Sequence, residues 1–307
     1  MKQKKPSYRM GSVALIGRPN VGKSTLMNKL LDFNLSITSP KPQTSRHRLL
    51  GILTKSDYQV LFFDTPGLMI RPKDSLDRRM RTHARDAIEE ADLVLLIVEP
   101  FAAGAVEEEC IQSIKESEKS AILAINKIDR TKKEGLLPVI EQYNSKFPFT
   151  HIVPISAKTS EGLPLLEKLI VSCLPRGKRK YPLDEVTDRS ERFLVGELVR
   201  QQLYFLYGQE IPYDTGVWIE TFKDPNGEDQ GKTFIEATIL VEKISQRQIL
   251  VGSNGNALKK VGINARKEIE MLLNRPVYLD LWVRVQSNWR KDQEVLEALD
   301  EQGFTSS

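Results

Sequence analysis

The sequence predicts an α/β protein in two parts: a mainly parallel sheet covered by helices, then a smaller α+β domain. Three observations predict it. Short apolar runs of strand length alternate with helical patterns over the first 175 residues, as in a parallel sheet buried on both faces. A glycine-containing turn from Gly17 to Ser24 separates the first run from the first helix, a connection that lets backbone wrap phosphate groups. The pattern then breaks at Pro175-Arg176-Gly177-Lys178-Arg179-Lys180-Tyr181-Pro182, a basic, proline-bounded stretch that reads as a linker.

Ser12–Gly17 is a short buried-type strand, and Lys23–Leu31 is the helix after it. Gly51–Thr54 and Tyr58–Phe63 form a hairpin pair ending at Asp64. Leu93–Val98, Ala121–Ile125 and His151–Ile155 are continuous apolar runs, separated by helical patterns over Ser75–Glu89, Glu107–Glu118, Lys132–Lys146 and Pro164–Leu174. Beyond the linker comes a helix from about Ser190 to Tyr207, with Phe193, Leu194, Glu197, Leu198 and Gln201 at helical spacing. Strands Thr215–Phe222 and Thr233–Glu242 follow, joined by a turn at Asp224-Pro225-Asn226-Gly227. A helical segment ending at Gly252, a long helix over Asn256–Leu273 and a strand over Val277–Val285 complete the order α-β-β-α-α-β. The expected limits are a basic tail over 1–11, the first domain over 12–175, the linker over 176–189, the second domain over 190–291 and a tail over 292–307.

A chain of 307 residues can hold two domains with a core each. At 40% hydrophobic and 28% charged residues, the composition is that of an ordinary globular protein. No apolar run approaches the ~20 residues that span a bilayer, and the basic N-terminus lacks the apolar stretch of a secretory signal. Two cysteines, Cys110 and Cys173, exclude a disulfide framework and a zinc spacing. They fit small hydrophobes on helix faces in a reducing cytoplasm. Residues 176–307 carry 19 Lys and Arg against 21 Asp and Glu, yet residues 243–291 hold ten basic and three acidic ones. Such a local excess marks a surface for a polyanion.

Four segments carry the chemistry. Gly17-Arg18-Pro19-Asn20-Val21-Gly22-Lys23-Ser24, followed by Thr25, has the spacing of a phosphate-binding loop. Its N–H groups and the helix N-terminus supply oriented dipoles. Lys23 is placed to reach the β- and γ-phosphates, and the Ser24 hydroxyl to ligate Mg²⁺, which prefers oxygen. Asp64-Thr65-Pro66-Gly67 closes a strand, with Asp64 a second Mg²⁺ candidate and the Gly67 N–H a γ-phosphate sensor. In Asn126-Lys127-Ile128-Asp129 the Asp carboxylate can accept from guanine N1–H and the 2-amino group together, and adenine would leave it unpaired. Asn126 is expected to tie loops together, and the Lys127 stem to cover the base. Ser156-Ala157-Lys158 follows another strand and is expected to offer a backbone N–H to guanine O6. Jointly these segments indicate GTP and GDP.

Gln43, Thr44, Ser45, Arg46 and His47 occupy the place of a switch loop over Mg²⁺, and either neighbouring hydroxyl, Thr44 or Ser45, is a candidate ligand. Leu68 stands where some GTPases carry a water-positioning glutamine, and leucine cannot do that work. Slow intrinsic turnover is expected, with Lys23 as the catalytic side chain and water placed by backbone groups or a partner. Asn20 is a candidate ligand for K⁺ acting as an internal positive charge; a role confined to loop stability is an equal alternative.

The stretch Val251-Gly252-Ser253-Asn254-Gly255-Asn256-Ala257-Leu258-Lys259-Lys260-Val261-Gly262 resembles the GXXG loop and following helix of a KH domain, in which single-stranded RNA backbone passes close to the protein. Leu258, Val261, Ala265, Ile269 and Leu272 share one helix face and are expected to pack in the core. Gly252, Ser253, Asn254, Gly255, Lys259, Lys260, Arg266 and Lys267 are the candidate RNA contacts.

Together these features resemble the Era family of bacterial GTPases, within the wider Era/TrmE group, from Ser12 to about Arg290. The likeness extends to Pro42-Gln43-Thr44-Ser45-Arg46-His47-Arg48 and to the terminal strand with Asn288-Trp289-Arg290. It implies a P-loop GTPase (G domain) joined to a C-terminal KH type-II RNA-binding domain. It also implies GTP hydrolysis with Mg²⁺, binding near the 3′ end of 16S ribosomal RNA, and a role in maturation of the small ribosomal subunit. The protein would be a cytoplasmic monomer with some peripheral inner-membrane association. Two departures matter. The family's usual Thr-Thr-Arg is here Thr44-Ser45-Arg46, which keeps a hydroxyl. Its common Gly-Lys-Gly-Gly loop is here Gly252-Ser253-Asn254-Gly255, which loses a cation and one glycine's freedom; Lys259 and Lys260 are candidates to compensate. A GTP-controlled module whose C-terminal domain docks a protein is the alternative. A tRNA-modification or transport GTPase lacks support, since no modification-enzyme cysteine motif and no membrane span is found.

Overall fold

The computed structural model describes residues 8–38, 48–67, 75–208, 211–225 and 231–301. These divide into two compact units, one reaching Asp188 and the other running from Arg189, with Ser75 and Leu76 grouped with the second.

The first unit is built on β1 (Arg9–Ile16), β2 (Leu49–Thr54), β3 (Tyr58–Asp64), β4 (Leu93–Val98), β5 (Ala121–Ile125) and β6 (His151–Pro154). They form one sheet in the order β2-β3-β1-β4-β5-β6. Only β2 runs antiparallel, to β3. Every residue of β4 and β5 is buried, which is why these strands read as unbroken apolar runs. The helices α1 (Lys23–Leu31), α2 (Ser75–Glu90), α3 (Ala105–Ser117), α4 (Leu136–Lys146) and α5 (Leu163–Cys173) connect them. On one side Ala14, Ile16, Val94, Leu96 and Leu123 pack with Ala84, Ile88, Ile111, Ile114 and Tyr143. Each Val, Leu and Ile among them contributes about 1.5–3 kcal/mol by leaving water. The expected helix over Lys132–Lys146 starts later, because residues 133–135 make a 3₁₀ turn and Gly135 caps α4.

Residues 176–188, expected as a linker, belong to the first unit. Met10 N–H donates to the Pro175 carbonyl and Gly177 N–H to that of Tyr8. Further on, Ile52 N–H donates to the Val186 carbonyl. Main-chain groups left over at the sheet margin hold the segment down, and composition does not reveal that.

The second unit contains α6 (Glu191–Leu206), β7 (Gly216–Lys223), β8 (Thr233–Val241), α7 (Ile244–Val251), α8 (Asn256–Leu273), β9 (Val277–Val285) and α9 (Gln293–Glu301). The sheet order is β7-β8-β9, antiparallel then parallel. Ser190 caps α6 by accepting from the Phe193 N–H at 3.2 Å. The core stripe of α6 is Val195, Val199 and Leu203, with Leu198 at its margin; of the residues read at helical spacing, Phe193, Leu194 and Glu197 are buried as well and Gln201 is half-buried. Ten residues of α6 are buried, so its apolar periodicity is blurred and shows only part of the buried surface. On α8, Val261, Ala265 and Ile269 are fully buried as expected, with Leu258 and Leu272 at the edge. The expected tail after residue 291 is corrected for 293–301, which form α9 with Leu296 buried. Asn226 and Gly227 of the expected turn lie outside the described residues. No helix among the described residues is long and apolar enough to cross a membrane.

Candidate functional site

The loops leaving the C-terminal ends of β1, β3, β5 and β6 converge, as ligand loops do in open α/β sheets. The loop after β1 needs its glycines. Gly17 has φ 148° and a Cβ there would sit 2.3 Å from the Ile97 carbonyl oxygen; at Gly22, with φ 103°, it would meet Asn126 Nδ2 at 2.4 Å. Lys23 is 6% exposed, and its ammonium donates to the carbonyls of Gly17 and Arg18, each at 3.1 Å. Arg18 itself is held by Glu99 at 3.1 Å and Glu107 at 3.6 Å. Val21 is fully buried, while Pro19 and Thr25 are half-buried.

Asp64, wholly buried at the end of β3, faces this loop. Its Oδ2 accepts from the Ser24 hydroxyl at 2.7 Å and the Ser36 hydroxyl at 2.6 Å, while Oδ1 is buried with no hydrogen-bond partner among the described residues. Burial pushes the Lys23 ammonium below its usual range and the Asp64 carboxyl above its own, and each opposes the other's shift. A buried, orphaned carboxylate oxygen beside a hydroxyl fits a hard divalent cation. Thr65 Oγ1 donates to the Leu15 carbonyl at 2.7 Å. Gly67 follows buried Pro66 and lies against Pro19, where a Cβ would come within 2.6 Å of the Pro19 nitrogen. Leu68 and the switch residues Gln43, Thr44, Ser45, Arg46 and His47 lie outside the described residues.

At the other end, Asn126 is 2% exposed and joins two loops. Its Nδ2 donates to the Val21 carbonyl at 2.8 Å, and its Oδ1 accepts from the Ala157 N–H at 2.9 Å. Lys127, at φ 65°, donates from Nζ to the Asn20 carbonyl and to Glu99, each at 2.6 Å. Asp129 Oδ1 accepts from the Ser156 hydroxyl at 2.7 Å. Ile128 N–H donates to the Ile155 carbonyl at 3.2 Å, and Lys158 is exposed. The structure thus brings the four motif segments together. Within the last segment, the Ala157 N–H is engaged by Asn126.

The candidate RNA residues lie in the second unit. Gly252 ends α7 at φ 69°, Asn254 has φ 53° and Gly255 φ 75°. A Cβ on Gly255 would meet nothing within 4 Å, so this turn presents bare backbone to open space. Ser253, Asn254, Lys259, Lys260, Arg266 and Lys267 are exposed, and Arg266 pairs with Glu270 at 3.9 Å.

Comparison with known proteins places the chain. A family model described as "50S ribosome-binding GTPase" matches residues 12–127, and a KH-domain model matches residues 210–290. GTPase Era of Haemophilus influenzae is 42% identical over 290 residues, covering 94% of this chain and 95% of that protein. GTPase Era of Lactobacillus delbrueckii subsp. bulgaricus is 42% identical over 292 residues, covering 95% and 96%. The chain belongs to the Era family of GTPases. A crystal structure of Era in complex with MgGDPNP and nucleotides 1506–1542 of 16S ribosomal RNA superposes with TM-score 0.91 at 38% identity, covering 95% of this chain and 98% of that one. An Aquifex aeolicus Era variant bound to GDP·AlF₄⁻ gives the same values.

For this Era-family chain, sequence reasoning missed Ser36, Asn28 and Glu99. Asn28 holds the Ser36 backbone by two hydrogen bonds, of 2.8 and 2.9 Å, and so aims the Ser36 hydroxyl at Asp64. No local pattern marks that pairing. Glu99 had a signal: it directly follows β4, at the end of the sheet where the motifs gather.

Proposed function

We propose that the chain binds GTP and GDP with Mg²⁺ in its first unit and hydrolyses GTP slowly. Through its second unit it binds 16S ribosomal RNA near the 3′ end, as a cytoplasmic factor in maturation of the small ribosomal subunit. The observation that carries this reading is the likeness over both units to the relative solved with MgGDPNP and a 16S segment. The buried meeting of Lys23, Ser24 and Asp64 supports it from this chain's own residues.

Ser24 and Asp64 would hold Mg²⁺, with Thr44 or Ser45 a further ligand. Bound there, the ion neutralises charge on phosphate oxygens. Lys23 would leave its loop carbonyls for the phosphates as a point charge. The backbone N–H groups from Gly17 to Ser24 orient the tail, and the helix N-terminus adds a favourable dipole. Asp129, oriented by Ser156, accepts from the guanine edge. Asn126 fixes the distance between the phosphate and base loops, and a backbone N–H of the 156–158 loop completes base recognition. Gly67 and the segment around Thr44 respond to the γ-phosphate and change how the second unit meets RNA. The domain limits we assign are 9–188 and 189–301, so the sheet takes in Arg9–Gly11 of the segment read as a basic tail.

Calorimetry with Mg²⁺ should find GTP and GDP bound far more tightly than ATP; equal affinities would overturn the nucleotide reading. Titration with nucleotides 1506–1542 of 16S RNA should give saturable binding that weakens steeply with salt. No binding in either nucleotide state would leave a protein-docking module instead. Turnover unchanged when K⁺ replaces Na⁺ would remove the monovalent-ion role from Asn20.

A further inference from the structure

Residues 175–181 carry four cations within five positions, Arg176, Lys178, Arg179 and Lys180, all exposed. Among the described residues none of the four is ion-paired, whereas Arg18, Arg48, Arg81, Lys127 and Lys146 of the same unit all are. Glu90, the carboxylate that Lys180 influences, is already gripped by both nitrogens of Arg48, at 2.9 and 2.5 Å. Glu167 is engaged by the Tyr58 hydroxyl.

The segment is fixed. Gln59, fully buried on β3, accepts from the N–H groups of Lys180 and Tyr181 at 2.8 and 3.0 Å and donates to the Tyr181 carbonyl at 3.0 Å. Arg176 bridges to Arg9, and Gly177 N–H donates to Tyr8. A buried glutamine bonded to this backbone, and to Thr54, fixes the main chain from which the four charges project. The backbone part of their ordering cost is met on folding instead of on binding.

The array crosses the N-terminal ends of β1 and β3, whereas the nucleotide loops leave the opposite ends. The eight residues of β1 separate the two by roughly 26 Å at about 3.3 Å per residue. No lysine or arginine side chain spans that, so these cations do not serve the nucleotide phosphates.

We propose that this array is a second RNA contact, on the GTPase unit, taking the phosphodiester backbone of the RNA that the KH unit holds. The inference rests on the RNA reading above. RNA anchored by the second unit is tethered to the chain that carries the array, so each further phosphate contact would add to the affinity by avidity. Cations without ion pairs, one of them over the Tyr181 ring, suit phosphates, which position a nucleic acid without specifying its sequence. An anionic membrane is the less fitting occupant, since Leu183 alone among the large apolar residues of 175–188 is well exposed, and a membrane-lying element carries a whole apolar face.

The test compares the full chain with Arg176→Gln/Lys178→Gln/Arg179→Gln, titrating RNA of nucleotides 1506–1542 across a salt series. The variant keeps every anchoring backbone bond, and unchanged GTP affinity and melting point would verify its fold. We expect affinity to fall about tenfold near 0.1 M salt and the log–log salt slope to flatten by about two, at roughly 0.7 per phosphate contact. Equal affinity and slope overturn the proposal and leave the KH reading standing. Failure of the wild type to bind RNA overturns both. Anionic phosphatidylglycerol vesicles form the second arm: lost vesicle adhesion with unchanged RNA affinity assigns the array to a membrane and overturns it too.

Discussion

The nucleotide site and the RNA loop both depend on glycines, but for opposite reasons. At Gly17 and Gly22 the surroundings are so crowded that a single methyl would overlap a carbonyl or an amide. At Gly255 the surroundings are open, and what glycine supplies is a positive φ and bare backbone. The contrast extends to the polar groups. Around the nucleotide site, Asp64, Asn126 and Lys23 are buried and tied to one another's loops, whereas Lys259, Lys260 and Lys267 stand in solvent. A small ligand read atom by atom needs groups that are already desolvated and aimed, because mispairing them is then costly. A polymer held by its phosphates needs reach and charge, and gains from released counterions. One chain uses both strategies in separate units.

The sharpest break in that contrast is at the base. Asp129→Asn reverses one hydrogen-bond partner at a site already oriented by Ser156. Guanine nucleotide affinity should fall about 10²–10⁴-fold while xanthine nucleotides gain, as competition binding would show. Unchanged preference would remove Asp129 from base reading. RNA affinity of the nucleotide-free protein should not move.

The glycines come next, as a matched pair. Gly17→Ala combines a forbidden φ with a contact of 2.3 Å to backbone and should cost about 3 kcal/mol of stability, together with GTP binding. Gly255→Ala meets no neighbour and should cost only about 1 kcal/mol for the left-handed conformation, with RNA affinity falling several-fold. Thermal melting and the two titrations separate them. Equal destabilisation would mean that the two loops are built alike.

This division also explains what could be read in advance. The four nucleotide segments are contiguous and sit at strand ends, so they are visible as strings. Strands buried on both faces are unbroken apolar runs, and Leu93–Val98 and Ala121–Ile125 have the limits their composition suggests. What pairs across the chain left no local trace. Ser36 reaches Asp64, 28 residues away, and Gln59 reaches Tyr181, 122 residues away; a lone serine and a lone glutamine in a strand look like nothing in particular. The basic stretch after Pro175 was legible as charge but not as structure, because its order comes from strands formed much earlier in the chain. On α6 only part of the buried surface was legible, because a helix buried on most sides has no clean stripe.

The smallest expected effect tests the solvent-exposed half of the contrast. Lys259 and Lys260 lie in the first turns of α8, exposed and without an ion pair among the described residues, whereas Arg266 on the same helix is paired with Glu270. Removing exposed charges far from the core should shift stability by less than about 0.5 kcal/mol. Lys259→Gln/Lys260→Gln should nonetheless weaken RNA binding a few-fold and flatten the salt slope by about 1.4, two contacts at roughly 0.7 each. Arg266→Gln should do less, because its charge is already partly neutralised. If the paired Lys variant bound RNA with an unaltered slope while Arg266→Gln flattened it, the phosphate contacts would lie farther along α8 than the loop geometry indicates. Weakening at constant slope would mean that the two lysines act by packing and not by charge.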